Sequence, residues 1–166
     1  MVCSDMEKTV QFFGDTMGLT LVKTIALPGG GQHFFFDIGK DEQLAYFWFP
    51  KAPKAMPGVS SVNPQTAKRG GFQTAHGSMN HFAFKVTEGQ LHEYREKLLQ
   101  RGVKVSRVYY HSDIPSGYTS TKDDNTSFMS CYFFGPDGEY LEFSALARPF
   151  TPEADVSHVP ERPSQS

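Results

Sequence analysis

The sequence predicts an α+β fold in which two paired β-α-β-β-β modules form a curved mixed sheet around a cavity. Three observations predict it. The order helix, strand, strand, strand occurs twice within 166 residues. Each copy of the helix opens on a capping-box pattern, Ser4-Asp-Met-Glu7 and Thr87-Glu-Gly-Gln90. Aromatic residues make up 14% of the chain, with 15 Phe against a single Trp, a composition suited to sheets that enclose an apolar space.

The first module spans residues 1–50. After Ser4, the residues Val10, Phe13 and Met17 recur at helical spacing, and Gly18 closes the helix. Segment 19–25 reads as a strand and Pro28-Gly-Gly-Gly31 as a turn. Segments 33–38 and 44–49 read as two further strands, joined by a turn over 39–43. Only residues 1–3 are left for a leading strand. Segment 51–77 has no clear period and is read as a linker.

The second module spans 78–147. Segment 80–86 is its leading strand, and Leu91, Tyr94 and Leu98 share one face of the following helix, which Gly102 closes. Strands are expected over 103–110, 127–134 and 140–145. The last two are joined by Gly135-Pro136-Asp137-Gly138, where Pro sets one φ and Gly supplies a positive one, so they form a hairpin. Segment 148–166, with Pro149, Pro152, Pro160 and Pro163, is expected to be a surface tail with a frayed end.

A net charge of −2 argues against nucleic acid or an anionic membrane as the main partner. No apolar run approaches the ~20 residues of a membrane span, and residues 1–20 carry no signal-peptide pattern. Cys3 and Cys131 are too few and too far apart for a disulfide framework or a zinc motif, which points to a cytoplasmic protein with reduced thiols. Open curved sheets leave edges that need cover, so a homodimer is expected.

Chemistry enters in the last hairpin. Alternation puts Leu141 and Phe143 on one face of its second strand and Tyr140, Glu142 and Ser144 on the other. A carboxylate in so apolar a strand is paired, protonated or bound to a metal, unless it simply faces water on an edge. The other polar intrusion is His81, in the run Asn80-His81-Phe-Ala-Phe that opens the second module.

Taken together, the paired modules, Asn80-His81-Phe-Ala-Phe and the closing run Gly-Pro-Asp-Gly-Glu-Tyr-Leu-Glu-Phe resemble the vicinal oxygen chelate superfamily over residues 1–147. That superfamily includes glyoxalases, bleomycin-resistance proteins and type I extradiol dioxygenases. The resemblance implies a metal and substrate cavity. In such proteins the first strand of each module supplies a His and the last strand of the second a Glu, so His81 and Glu142 match two ligand positions. Two imidazoles and one carboxylate suit Fe(II) or Mn(II) and leave room for a bidentate substrate. Tyr132 matches the dioxygenase tyrosine that hydrogen-bonds a substrate oxygen.

The chain also departs from these patterns. The first ligand His would fall three residues before Met1, which predicts that the sequence starts inside its first strand. Ala45 or Tyr46 stands where glyoxalases carry another carboxylate. Asp41 and Glu42 stand near the place of the dioxygenase acid/base His, and Asp123 at that of a further His. Glu42 is therefore the candidate acid/base, and Tyr132, Tyr46 and His33 the candidate substrate contacts. His33, His76 and His111 are possible proton carriers, with His33 also able to stand in as a third ligand. His92 and His158 are expected to be solvated, and the Phe34–Phe36 run to be sheet core.

The function these residues imply is that of a metal-dependent enzyme resembling extradiol ring-cleavage dioxygenases, acting on a small catechol-like substrate. The alternatives are a glyoxalase- or epimerase-like lyase or isomerase, and a non-catalytic binder of an aromatic molecule, like the bleomycin-resistance proteins.

Overall fold

In the computed structural model, which describes residues 1–161, the repeated sequence pattern becomes two sheets of matching strand order. In the first sheet, β1 (Val2–Cys3), β2 (Thr20–Ala26), β3 (Gln32–Gly39) and β4 (Glu42–Trp48) lie in the order β1-β4-β3-β2. In the second, β5 (Phe82–Lys85), β6 (Tyr109–His111), β7 (Tyr118–Thr119), β8 (Phe128–Phe134) and β9 (Tyr140–Leu146) lie in the order β5-β9-β8-β6-β7. Each leading strand runs parallel to its module's last strand, β1 beside β4 and β5 beside β9. A parallel pair needs a long crossover, and the helices after residues 5 and 87 supply it. The fold is α+β with paired modules, as the sequence predicts. The ladders stay within each module, so the molecule has two mixed sheets and not one continuous one.

Helix starts follow local chemistry, with one difference. Helices α1 (Met6–Val10), α2 (Pro64–Ala67, inside the linker), α3 (Glu88–Gln100) and α4 (Pro152–Asp155, in the tail) are formed. Thr87 and Gln90 cap α3 reciprocally, as a capping box should. In the first module Asp5, not Ser4, is the cap, its side chain accepting from the Lys8 N–H at 3.1 Å. The Ser4 N–H instead donates to Asp137 in the second module's hairpin, at 2.8 Å. Beyond Val10 the helix widens into π-helical turns over Gln11–Thr16, with the Met17 N–H reaching the Phe12 carbonyl at 2.8 Å. Gly18, at φ +83°, then ends it in a conformation that glycine adopts freely.

The strand expected over 103–110 shrinks to Tyr109–His111. Ser106 accounts for the loss. Its hydroxyl takes the Tyr132 N–H at 2.9 Å, its own N–H donates to the Tyr132 carbonyl at 2.8 Å, and its carbonyl accepts from Arg95 Nε at 2.8 Å. Side-chain bonds of this kind compete with a regular ladder.

A single core joins the modules from their helical sides. Phe13, Phe36 and Tyr46 from the first module are buried in one cluster with Leu91, Leu98, Phe133, Leu141 and Phe143 from the second. The Phe13 ring lies 5.0 Å from Tyr46, and Tyr94 on α3 lies 5.6 Å from Phe143. The Tyr46 hydroxyl donates to Glu139 across the modules at 3.1 Å, and Arg101 bonds the Thr16 carbonyl. The opposite face of each sheet is thereby left for function. Of the Phe run, Phe36 is core, whereas Phe35 sits on that opposite face beside His33, with ring centroids 4.1 Å apart. In the tail, Arg148 grips Asp155 with both terminal nitrogens, at 3.0 and 2.6 Å. The frayed end expected for the tail falls partly on residues 162–166, outside the described residues. Among the described residues, no helix is long and apolar enough to cross a membrane.

Candidate metal centre

Strand register assembles the site. Tyr132 pairs with Glu142 across β8 and β9, Tyr109 with Ser130 and His111 with Phe128 across β6 and β8. With side chains alternating between faces, these residues share the face turned away from the helices. His81, one residue before β5, joins them from the other side of β9. The Tyr132 and Tyr140 rings stack at 5.2 Å and an interplanar angle of 13°, and His81 meets both edge-on. This wall leaves Glu142 only 3% exposed.

A carboxylate so placed needs partners, and it has them. His81 Nε2 lies 2.9 Å from Glu142 Oε2, and the Ser130 hydroxyl donates to Oε1. Burial by itself would raise the Glu142 pKa, but the hydrogen bonds from His81 and Ser130 and the charge of His81 carry it below its ordinary value. The hydrogen bond to Glu142 in turn raises the His81 pKa, against the desolvation that would lower it. The two groups are thus linked by a hydrogen bond that favours a proton on His81 and a bare carboxylate on Glu142. Nδ1 of His81 is 3.0 Å from Asn80 Oδ1, which orients the ring.

Beside the pair, the Tyr132 hydroxyl lies 3.2 Å from Nε2 of His111. The His111 ring stacks on Phe128 at 4.4 Å. Burial lowers the His111 pKa, opposed by the Glu142 charge and a hydrogen bond to the Gly117 backbone. Burial, then the Glu142 charge, pushes the Tyr132 phenol up. A neutral imidazole next to a protonated phenol is a proton acceptor in waiting.

The structure thus brings together His81, Glu142 and Tyr132, which the sequence singles out, with His111, one of three histidines considered as proton carriers. Ser130 escaped notice. Its place two residues before Tyr132, on the same face, is the signal that would have found it. The other candidates go elsewhere. Tyr46 is fully buried against Phe13 and Phe36, so it serves the core and the module contact and offers no surface to a substrate. Glu42 is exposed at the start of β4, on the hairpin turn opposite Gly39. His33 lies on the first sheet, stacked on Phe47 at 3.6 Å, with its Nε2 buried and without a partner. Asp123 braces its own loop through Thr126 and Asn125. His76 and His92 are exposed, and His158 pairs with Asp113 at 2.8 Å. Cys3 and Cys131 are both free and buried, and burial pushes the Cys131 thiol up to about 12.

The donor chemistry fits a divalent ion in part. One imidazole nitrogen and one carboxylate oxygen face each other 2.9 Å apart, a donor pair of the kind suited to Fe(II), Mn(II) or similar ions. Among the described residues, no group of three or more His, Cys, Asp and Glu side chains converges to hold a metal. A cleft of about 580 Å³ opens alongside, between Met1–Ser4, the chain after Trp48, and His81 with Tyr140. His81 therefore stands between the cleft and the carboxylate.

Comparison with known proteins bears on this arrangement. The chain resembles the solved structure of SMU.1112c at 21% identity, with a TM-score of 0.59 over 87% of this chain and 92% of that one. A glyoxalase family protein from Enterococcus faecalis matches at 19% identity and TM-score 0.58, covering 86% and 90%. The fosfomycin resistance protein FosX from Listeria monocytogenes, solved with Mn(II) and sulfate, matches at 14% identity and TM-score 0.52, covering 95% and 93%. At these identities the likeness is one of fold. No curated protein sequence matches the chain. The family profile that does match spans residues 1–143, and by it the chain belongs to the Glyoxalase/Bleomycin resistance protein/Dioxygenase superfamily, the vicinal oxygen chelate proteins.

Proposed function

We propose that this protein is a divalent-metal-dependent enzyme that holds two vicinal oxygens of a small aromatic substrate on the face of its second sheet, with extradiol ring cleavage as its reaction. The observation that carries this reading is the His81–Glu142 pair, 2.9 Å apart, with the Tyr132 hydroxyl on the same face. His81 and Glu142 would hold the metal, and the Mn(II) bound by FosX supports an ion of that class. When bound, Fe(II) or Mn(II) supplies Lewis acidity toward the substrate oxygens.

The chain's own residues supply the rest. The stacked Tyr132 and Tyr140 rings form an aromatic wall for a flat substrate. Tyr132 takes a hydroxyl proton from the substrate while its own proton passes to Nε2 of His111, so no free phenolate forms. Ser130 keeps Glu142 ionised and oriented throughout.

A homodimer is part of the same proposal. The first sheet exposes Leu21, Val22 and Ile25, Phe49 is exposed just past β4, and a second copy is the simplest cover for them.

The test is dioxygen uptake by Fe(II)-loaded protein given a catechol, followed by absorbance of the ring-opened product. Uptake that disappears in Glu142→Gln supports the reading. Tight metal binding without uptake would move the reaction to the lyase or isomerase class. Ligand binding with no metal at all would make the protein a binder.

A further inference from the structure

A guanidinium on the site's face is held by aromatic rings and not by a carboxylate. Arg107 precedes β6 by two residues, and its guanidinium lies over the rings of Tyr109 at 5.0 Å and Tyr118 at 5.6 Å. Tyr109 and Tyr118 are themselves packed edge-to-face at 4.9 Å, and Tyr109 lies 6.0 Å from Tyr132. A continuous row of rings therefore runs from the guanidinium to the wall of the metal centre. Among the described residues, no acidic side chain forms an ion pair with Arg107. Glu142, the carboxylate of the metal centre, is engaged by His81.

We propose that Arg107 anchors a carboxylate arm of the substrate, so that the site selects acidic vicinal diols over neutral ones. This deepens the reading of His81 and Glu142 as a metal and substrate site, and rests on it. Three features carry it. Cation–π contact with two rings fixes an otherwise mobile side chain, which reduces the entropy lost when a ligand binds. The guanidinium fork matches a carboxylate through two parallel hydrogen bonds, a match that lysine cannot make. The row of rings also suits a small molecule: from the guanidinium it is 5.0 Å to Tyr109 and a further 6.0 Å from Tyr109 to Tyr132. An aromatic diol with a short acidic side chain spans that distance.

The test compares two probes on the Mn(II)-saturated full chain: dihydroxyphenylacetate, which has the acidic arm, and methylcatechol, which lacks it. The wild type should bind the acid about tenfold more tightly, the scale of one charge-assisted contact. Arg107→Gln should erase that preference and leave methylcatechol affinity within about twofold, because an exposed side chain is lost without disturbing the core. Arg107→Lys should keep only part of it. Tyr118→Leu, which removes one ring of the support, should give an intermediate loss. Added salt should weaken the acid alone. An Arg107→Gln variant that weakens both probes equally, or a wild type that binds both alike, would overturn the proposal and leave the metal and diol reading standing. Failure of methylcatechol itself to bind overturns both.

Discussion

At Glu142 a proton and a metal compete for the same lone pairs, and this decides how the site responds to pH. His81 must lose its proton to become a ligand, and its pKa is raised by Glu142. Mn(II) affinity, measured by calorimetry, should therefore climb as pH rises through that raised value and level off above it. Metal-free protein should show the reverse dependence in its stability. The raised His81 pKa contributes stability that is full below its ordinary value of 6.5 and is lost as pH rises through the folded value. The lowered Glu142 pKa contributes stability present above 4.5 and lost as pH falls through its folded value. His81→Ala should abolish Mn(II) uptake, flatten the melting temperature between neutral and alkaline pH, and leave the circular dichroism unchanged. Retained metal uptake would place the centre elsewhere. Tyr132→Phe should spare metal affinity and slow turnover by about 10²-fold or more, since only the proton-transferring hydroxyl is removed.

Among the elements, the two helix starts show how one residue's competition shifts a boundary. Both carry the Ser/Thr-x-x-Glu/Gln pattern, yet only Thr87 forms the box. Ser4 gives its N–H to Asp137, and the cap passes to Asp5. Chemical denaturation should find Thr87→Ala and Asp5→Ala each destabilising by about 1 kcal/mol, with the Ser4→Ala side-chain change close to neutral. Equal losses at Ser4 and Asp5 would contradict the observed cap. The same competition shortened β6. The side chain of Ser106 and the carbonyl it leaves to Arg95 interrupt a strand that the apolar pattern alone would continue.

For the whole molecule, the seam between modules depends on Tyr46 and Glu139. Burial raises the Glu139 pKa, so this carboxyl tolerates its place through the Tyr46 hydroxyl and the Asp137 N–H, at 3.1 and 2.8 Å. Tyr46→Phe should cost about 1–3 kcal/mol by leaving a buried acceptor short of a donor. Tyr46→Ala should cost more, about 3–5 kcal/mol, because it also opens a cavity against Phe13 and Phe36. An effect of Tyr46→Phe below measurement would show that water reaches Glu139. Association of chains is checked at this scale too. Sedimentation should show a species of twice the 18.6 kDa chain mass, and replacement of Val22 and Phe49 by Lys should return it to a single chain.

Much of this was legible in residues whose role is local. Gly135-Pro136-Asp137-Gly138 makes a hairpin wherever it stands, Thr87 and Gln90 start a helix without outside help, and period-two alternation already sets Glu142 apart from Leu141 and Phe143. The double pattern of helix and strands determined the two modules for the same reason. What the sequence could not decide was which distant groups meet. His81 and Glu142 touch because β5 lies parallel to β9, a pairing made only when α3 packs against the second sheet. Tyr46, polar-tipped on an alternating strand, looked suited to a substrate wall until the second module buried it and supplied Glu139 as its partner. His111 gained its role from the β6–β8 register, which sets it beside Tyr132 from 21 residues away. Local chemistry is written in neighbouring residues. Long-range contact depends on where the core forces the strands to lie, and that is settled only when the chain folds.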